Sequence, residues 1–396
     1  MRPLHGGTVP APAPSPSHSA ERGFRERWLG WRDRLLASPS FQARAVRFPL
    51  TRWIARRRAR AVFDLVAGFV YSQVLFACVK LRVFELLAEG PRRLDDIARR
   101  TGLDGDAASR LLSAAVALRL VERRGDERFG LGVLGAPLVG NAGLAAMIEH
   151  HDMFYADLGD PVALLRGDAR APSRLAAYWP YAGAAEPAAA DAAEVSAYSQ
   201  LMSASQPLVA VEILAAYPLG RHRAVLDVGG GEGTFLIAVG KKLPRLGLIL
   251  FDLPAVAARA RQRFAAAGLG ARADAIGGSF LHDALPRGAD IVTLVRVLHD
   301  HDDASVAALL GAVHAALPAG GTVLVAEPMA ETPGAEPMGD AYFGFYLLAM
   351  GRGRPRSSAR LIELLAAAGF IDMRLRATHL PLQTQLLVAT KPSRKP

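Results

Sequence analysis

From residue 224 to residue 390, short apolar runs alternate with stretches whose apolar residues recur at helical spacing. Seven runs predict strands, at 224–228, 246–251, a run ending at 277, 290–295, 322–327, 370–375 and 385–390. Helices are expected at about 254–267, 302–317 and 357–368. The pattern predicts an α/β fold, a doubly wound and mostly parallel seven-stranded sheet. Ligands of such sheets bind at the carboxyl ends of the strands.

Residues 81–131 follow a different pattern, with three short helices at 81–87, 94–103 and 107–118 and a hairpin at 121–131. This order predicts a winged helix, a fold that many DNA-binding regulators share. The stretch 104–118, which such a regulator would use for recognition, carries Arg110 as its only base. Because phosphate binding normally uses more positive charge, we expect a dimerisation domain and no nucleic acid, with a DNA-binding regulator as the alternative.

The chain is expected to divide into four segments. These are a basic aromatic arm at 1–60, partly disordered, a winged-helix dimerisation domain at 61–140, a helical linker that lines a pocket at 141–216, and a ligand-binding α/β domain at 217–396.

The arm holds the whole excess of positive charge. The net charge is +10, but residues 1–60 contain 13 arginines and 3 acids, and the rest of the chain has 34 bases and 34 acids. Phe24, Trp28, Trp31 and Leu35 share one helical face. Arginines around such a face are typical of a helix in a bilayer interface, so peripheral membrane association through residues 20–60 is expected. A solvated leader and a helix exchanged between dimer partners are the alternatives.

Composition indicates a globular protein, with 51% hydrophobic and 21% charged residues. The single cysteine, Cys78, excludes an intramolecular disulfide and fits a reducing cytosol. The apolar stretch 65–79 is short and includes polar residues, so no membrane-spanning helix is expected. Residues 1–20 lack the apolar core of a secretory signal. We expect a cytoplasmic protein, peripheral on the inner face of a cytoplasmic or photosynthetic membrane.

A glycine-rich turn follows the first strand of the α/β domain. It reads D-x-G-x-G-x-G, with Asp227 before Gly229, Gly231 and Gly233, and Glu232 lies inside it. A dinucleotide fingerprint would need a glycine at 234, where this chain has threonine. An acidic residue before the glycines suits a ligand with an amino group and a sulfonium, as in S-adenosylmethionine.

Residues at the ends of the second and third strands complete the expected binding site for S-adenosylmethionine, the methyl donor. Asp252, 23 residues after Gly229, can accept the ribose hydroxyls of a nucleoside, with Leu253 beside it. Ser279 and Phe280, after Gly278, are placed to meet the adenine, although a simple turn explains them as well. Arg296, after the fourth strand, is also expected to bind the methyl donor.

The run Leu298-His299-Asp300 lies just past the carboxyl end of the fourth strand and supplies the candidate chemistry. Histidine takes up a proton near neutral pH, as a hydroxyl attacking a methyl sulfonium requires. The catalytic candidates are His299, Asp300 and Glu327, which ends the fifth strand and can fix the tautomer of the histidine. A helix N-cap or a solvated carboxylate is the alternative for Glu327.

Two aromatic stretches, 150–155 and 340–350, are expected to line a substrate pocket, although such stripes are more often core. Met202, in a helix expected at 196–217, is a further pocket candidate, and a position in the core is the alternative. Adjacent histidines point about a hundred degrees apart on a helix, so His150 and His151 cannot readily chelate one ion, and no metal is expected. The pocket candidates are His151, Phe154, Met202, Tyr342, Phe343, Tyr346 and Met350.

At these residues the chain resembles the class I S-adenosylmethionine-dependent O-methyltransferases with a winged-helix dimerisation domain. The resemblance rests on 227–233, 251–254, 277–280, 298–300 and 325–328. It implies a homodimer in which His299 is the general base, Asp252 holds the ribose and Glu327 supports the histidine. Two departures are visible: His301 stands where the family commonly has tryptophan, and Pro355 stands where plant members carry a second glutamate.

The chain is most similar to carotenoid O-methyltransferases that act on demethylspheroidene and hydroxyneurosporene, through the segments 63–73, 150–166 and 340–356. This resemblance implies a small hydrophobic acceptor, the tertiary C-1 hydroxyl of an acyclic carotenoid. A phenol or quinol of secondary metabolism is the alternative acceptor.

Overall fold

The computed structural model describes residues 16–125, 127–168, 173–178 and 205–393, and it describes side chains from residue 23 onward. The chain divides into two compact units, Met1–Leu75 and Phe76–Pro396. Met202, a predicted pocket residue, lies outside the described residues.

The first unit is helical in its described part. Its elements are α1 (Pro16–Ala37), α2 (Pro39–Arg47) and the beginning of α3 (Arg52–Lys80). Ser38 caps α2 by accepting a hydrogen bond from the Phe41 backbone N–H, and proline at the first helical position needs no such bond. Helix α3 runs without a break through residues 60 and 61.

Helix α3 corrects one expectation. By length and composition it is apolar enough to cross a membrane, since its most apolar 18-residue window has a mean hydropathy of 1.9 and is 11% buried. The expectation that no such helix fits was wrong as to length, because the apolar stretch extends further towards the N-terminus than residue 65. Core helices of soluble proteins also pass this test.

The predicted winged helix is confirmed. It comprises α4 (Val83–Ala88), β1 (Arg92–Arg93), α5 (Leu94–Thr101), α6 (Gly105–Ala117), β2 (Val121–Arg124) and β3 (Arg128–Leu131). The strands pair in the antiparallel order β1-β3-β2. Asp104 caps α6 by accepting a hydrogen bond from the Ala107 backbone N–H at 2.7 Å.

Four described helices lead to the sheet. They are α7 (Ala142–Asp157), α8 (Pro161–Arg166), α9 (Arg174–Tyr178) and α10 (Ser205–Ala216). Asp157 joins two of them, because its carboxylate accepts hydrogen bonds from the backbone N–H groups of Arg174 and Leu175.

The α/β fold is confirmed as a seven-stranded, mostly parallel sheet within the described residues. Its strands are β4 (Ala224–Val228), β5 (Gly247–Asp252), β6 (Ala273–Gly277), β7 (Ile291–Val295), β8 (Thr322–Glu327), β9 (Ile371–Arg376) and β10 (Gln385–Thr390). Their order is β6-β5-β4-β7-β8-β10-β9, and β10 is antiparallel to both of its neighbours. The helices are α11 (Thr234–Lys242), α12 (Pro254–Ala266), α13 (Asp303–Ala316), α14 (Phe343–Met350) and α15 (Ser358–Ala367).

Successive side chains of the strands enter two different cores. In β7, Ile291 and Val295 pack into one core, whereas Val292 and Leu294 pack into the other. This alternation is what a sheet covered on both faces requires. The parallel pairing of β5, β4, β7 and β8 places their carboxyl ends side by side, where the predicted site residues lie.

Candidate active site

The glycine turn after β4 needs its glycines for conformation and for space. Gly229, Gly231 and Gly233 have φ of 68°, 59° and 79°, a region that L-residues rarely adopt. A Cβ at Gly229 would lie 2.8 Å from the Val297 side chain, and one at Gly233 would lie 2.5 Å from the Phe264 ring. A Cβ at Gly231 would meet nothing within 4 Å, so the turn has open space beside this residue.

Two carboxylates flank the turn, the buried Asp227 and the half-buried Asp252. Asp252 accepts hydrogen bonds from the backbone N–H groups of Gly231 and Leu253, both at 2.7 Å. Asp227 accepts a hydrogen bond from the Thr293 hydroxyl at 2.6 Å, and its other oxygen is buried without a partner. An unpartnered buried carboxylate oxygen is costly. A cationic group bound at the turn would satisfy it.

The pKa values of both carboxyls are high for aspartates. Burial raises the pKa of Asp227 to about 7, against the effect of the Thr293 hydrogen bond and with a further rise from Asp252. Burial also raises the pKa of Asp252 to about 6, although its two backbone hydrogen bonds and Arg259 oppose the rise. A bound cation would favour the ionised form of each group.

Some predicted donor residues make local contacts instead. The carboxylate of Glu232 is bound by Arg259 and Arg263, each at 2.9 Å, and these ion pairs support the turn, while its place in the S-adenosylmethionine site stays a prediction. Ser279 is part of a turn, with its backbone N–H bonded to Asp283 and its hydroxyl accepting from Leu281. The turn alternative therefore accounts for the contacts of Ser279.

The remaining residues that were predicted to bind S-adenosylmethionine lie at and after the ends of β6 and β7. The backbone N–H of Gly278 donates to the Asp252 carbonyl at 2.9 Å. Phe280 meets the ring of His301 edge to face, with centroids 5.1 Å apart. Arg296 has a φ of 57° and donates to the Ser205 hydroxyl at 2.8 Å. His301 thus lies against Phe280 at the position where the family commonly has tryptophan.

His299 lies in a short 3₁₀ turn, Leu298–Asp300, directly after β7, and it is buried. Its Nε2 is 3.1 Å from Oδ1 of Asp300. Glu327 accepts a hydrogen bond from the backbone N–H of His299 at 3.1 Å, whereas its Oε2 is 4.0 Å from Nδ1 of the ring. Glu327 was expected to hold the ring, but it holds the backbone, and Asp300 is the carboxylate in contact with the ring.

Opposing effects act on the pKa of His299. Burial lowers it, but the carboxylates of Asp300 and Glu327 together raise the pKa of His299 above its usual value. Burial raises the pKa of Glu327. Nδ1 of His299 and Oε1 of Glu327 are both buried without a hydrogen-bond partner. The site is therefore arranged to stabilise a proton on the imidazole.

Sequence reasoning missed Arg356, which fixes the turn that carries His299. Its guanidinium donates to the carbonyls of Leu298 and His301, both at 2.7 Å, and to the carboxylate of Asp303. The backbone N–H of Arg354 donates to the His299 carbonyl at 2.9 Å. Nothing in the sequence pattern pointed to these contacts, which join segments more than 50 residues apart.

The predicted pocket residues form a cluster between α7 and α14. His150 pairs with the Tyr346 hydroxyl at 2.9 Å, and His151 pairs with the Tyr342 hydroxyl at 2.7 Å. The ring of Phe343 stacks on His299, with centroids 5.8 Å apart and planes 25° apart. Phe154, Tyr346 and Met350 are core members of this cluster, while Tyr342 and Phe343 are half-buried.

The polar groups of the cluster are uncharged at neutral pH. Burial lowers the pKa of His150 to about 4, with a further decrease from His151, and burial also lowers the pKa of His151. Burial raises the pKa of the Tyr342 and Tyr346 hydroxyls. Where the structure describes the chain, no three metal-ligating side chains are grouped to hold an ion.

Comparison with known proteins identifies the family. The O-methyltransferase domain family matches residues 155–371, and the O-methyltransferase dimerisation domain family matches residues 63–141. Demethylspheroidene O-methyltransferase of Cereibacter sphaeroides is 46% identical over 92% of this chain and 95% of that protein. The enzyme of the same name from Rhodobacter capsulatus is 44% identical over 87% of this chain and 85% of that protein.

A solved structure supports the same conclusion. The crystal structure of human N-acetylserotonin methyltransferase in complex with S-adenosylmethionine matches with a TM-score of 0.70 at 26% identity. The match covers 85% of this chain and 98% of that chain. This protein belongs to the S-adenosylmethionine-dependent O-methyltransferases. The predicted family, the fold class and the enzyme class are confirmed, and the dimerisation domain supports a homodimer.

Proposed function

We propose that this protein transfers a methyl group from S-adenosylmethionine to the tertiary hydroxyl of an acyclic carotenoid, with His299 as the general base. The observation that carries the proposal is the position of the His299 ring, between Asp300 on one side and the uncharged aromatic cluster on the other. The names and the identity of the two bacterial relatives support the carotenoid acceptor.

The donor fits the turn after β4. The ionised carboxylate of Asp227, whose Oδ2 has no partner, suits the amino group, and the lone pairs left on Asp252 suit the ribose hydroxyls. Open space beside Gly231 leaves room for the ligand against the backbone. When bound, the donor supplies a methyl group on a positively charged sulfur, with a neutral thioether as the leaving group.

The aromatic cluster favours an apolar acceptor. Its two histidine–tyrosine pairs satisfy each other and carry no charge at neutral pH. Phe343, the member in contact with His299, is apolar and half-buried. An acceptor with a long hydrocarbon body and one hydroxyl would bury that body against such a surface and bring the hydroxyl to the histidine.

The residues around His299 define how the hydroxyl is activated. Nδ1 is buried on the side of Glu327, and Nε2 faces Asp300 at 3.1 Å. With the hydrogen of the neutral ring on Nδ1, Nε2 takes the proton of the acceptor, and the Asp300 carboxylate then accepts a hydrogen bond from the protonated Nε2. A tertiary alkanol is too weak an acid to ionise first, so Nε2 takes the proton as the oxygen–carbon bond forms and the carbon–sulfur bond breaks. Asp300 and Glu327 stabilise the resulting imidazolium. Positioning of the acceptor by the cluster carries much of the rate.

The test is transfer of a labelled methyl group to a panel of acceptors: an acyclic 1-hydroxycarotenoid, a phenol and a quinol, each dispersed in the same detergent. We expect the hydroxycarotenoid to give the highest kcat/KM and its methyl ether as product. Phe343→Ala should raise KM for the carotenoid with little effect on donor affinity. Preferred turnover of the phenol would reject the carotenoid acceptor while keeping the methyltransferase activity.

A further inference from the structure

An exposed aromatic face lies on α1. Phe24, Trp28, Trp31 and Leu35 point within about 60° of one another around the helix. Phe24 is 67% exposed, Trp28 50% and Trp31 55%. Large exposed aromatic side chains on one helix face indicate an interaction surface for a protein, a membrane or a ligand.

Arginines flank this face on both sides. By helical geometry Arg27 and Arg34 lie about 60° to 80° to one side, and Arg25 and Arg32 lie about 80° to 100° to the other. The guanidinium of Arg32 lies over the Trp28 ring, 5.8 Å from its centroid. Within residues 23–37 the two acids, Glu26 and Asp33, lie on the opposite side of the helix. Between residues 23 and 37, negative charge is thus kept away from the aromatic face.

The same composition continues through α2 and into α3. Trp53 is 61% exposed, and Phe48 and Leu50 are also exposed. Seven arginines, and no acids, lie between residues 44 and 60. None of residues 23–60 falls within either family match, which begin at 63 and 155. Membership of the family therefore does not account for this surface.

We propose that residues 23–60 form a docking surface for an anionic lipid bilayer, with α1 lying in the plane of the interface. Tryptophan and phenylalanine insert at the boundary between head groups and acyl chains, and arginines on both sides bind the lipid phosphates. A nucleic acid would use the arginines but not the row of aromatic residues, and a second copy of this chain would bring equal positive charge to the same face.

The coverage of two relatives bears on how widely the arm is shared. The human relative of known structure is matched over 98% of its length but covers only 85% of this chain, so this chain has residues without a counterpart there. The Cereibacter relative, in contrast, covers 92% of this chain, which leaves fewer residues unmatched than residues 1–60 contain. At least part of the arm is therefore shared with that relative.

The test is flotation of the full-length protein with vesicles of phosphatidylcholine alone, or of equal parts phosphatidylcholine and phosphatidylglycerol. We expect flotation with the anionic vesicles, release at high salt or alkaline carbonate, and little flotation with the neutral vesicles. In a Trp179→Phe background only the tryptophans of the arm remain, and their emission should shift to shorter wavelength on binding.

Two sets of variants separate the aromatic and the basic contributions. The double variant Trp28→Ser with Trp31→Ser should lower the partition coefficient of the protein into anionic vesicles by roughly tenfold or more. Arg25, Arg27, Arg32 and Arg34, each changed to Gln, should lower it about fivefold per arginine at low salt. The controls change exposed apolar residues and exposed arginines outside the arm: Leu375→Ser with Leu380→Ser, and the Gln variants of Arg110, Arg245, Arg374 and Arg376. These controls should float like the unmodified protein.

Several results would overturn the proposal. Equal flotation of the arm variants and their controls would remove the role of this surface. Resistance to alkaline carbonate would show that α3 spans the bilayer instead. Retarded duplex DNA without vesicle binding would assign the arm to nucleic acid, and a lower molecular mass of the Trp28 and Trp31 double variant without vesicle binding would assign it to a second copy. None of these readouts depends on the acceptor, so failure here leaves the proposed reaction intact.

Discussion

Oδ1 of Asp300 lies 3.1 Å from Nε2 of His299, the residue that precedes it in the chain. This contact makes Asp300 the carboxylate that acts most directly on the ring, because the nearest approach of Glu327 to a ring nitrogen is 4.0 Å. The two carboxylates raise the pKa of His299 against the effect of burial.

A change in the pH profile should follow from Asp300→Asn. General-base catalysis needs the neutral imidazole, so activity is lost as the pH falls through the pKa of His299. Removing the negative charge of Asp300 lowers that pKa, and the acid limb of kcat/KM should therefore move to lower pH. Asp372→Asn, at an exposed position remote from the site, is the control and should leave the limb in place. An unchanged limb in Asp300→Asn would contradict the assignment.

Variants of His299 and Glu327 should differ in what they change, because the first should lower kcat and the second should lower the stability of the fold. His299→Ala should lower kcat by about 10²- to 10⁴-fold, the usual range for a lost general base, and keep the donor affinity. Glu327→Gln keeps an acceptor for the His299 backbone N–H, whereas Glu327→Ala leaves that group buried and unpaired at a cost of about 1–3 kcal/mol. Thermal unfolding should thus be much more sensitive to Ala than to Gln. Equal loss of stability in both would show that the backbone contact is unimportant.

Binding of S-adenosylmethionine should release protons. Asp227, with a pKa of about 7, is more than half protonated at pH 6.5 in the free protein, and a cationic amino group at its unpartnered oxygen requires the ionised form. Binding should therefore weaken as the pH falls, approaching tenfold per pH unit well below 7. Calorimetry in buffers of different ionisation enthalpy measures the released protons. Asp227→Asn should lose most of the release, and Asp106→Asn, exposed in the winged helix, should lose none.

The reaction should proceed without a metal ion. The described residues contain no group of three metal-ligating side chains, and the two adjacent histidines are each paired with a tyrosine. Dialysis against a strong chelator should leave kcat unchanged. Loss of activity that returns on adding back a divalent cation would reject this expectation.

The sequence predicted the sheet well because its signals are local. Most strands of the α/β domain are short apolar runs, and Asp302, one residue before α13, caps that helix through its side chain. The glycine turn and the placement of His299 after a buried strand were predictable for the same reason. The contacts of Glu232 were not, since its partners Arg259 and Arg263 are about 30 residues away and only the fold brings them together.

The contacts that hold His299 in place were also not predictable from local sequence signals. A carboxylate at the end of β8 was expected to reach the ring, but hydrogen bonding to the backbone depends on the register of β7 against β8 and on the direction of the side chain. Arg356 could not be assigned a role, because its three partners belong to a turn and a helix start that are contiguous in space but distant in sequence. Such contacts depend on angles that spacing along the chain does not encode.

Arg356 should be essential for the position of His299. Its buried guanidinium joins two carbonyls of the 298–301 turn to the carboxylate of Asp303, which Arg360 also binds from an exposed position. Arg356→Met leaves those acceptors unpaired and should cost about 3–5 kcal/mol of unfolding free energy, together with most of kcat. Arg360→Met removes an exposed ion pair to the same aspartate and should cost at most about 1 kcal/mol. Denaturant unfolding and steady-state turnover of the two variants measure both effects, and a similar small change in each would show that Arg356 does not hold the turn.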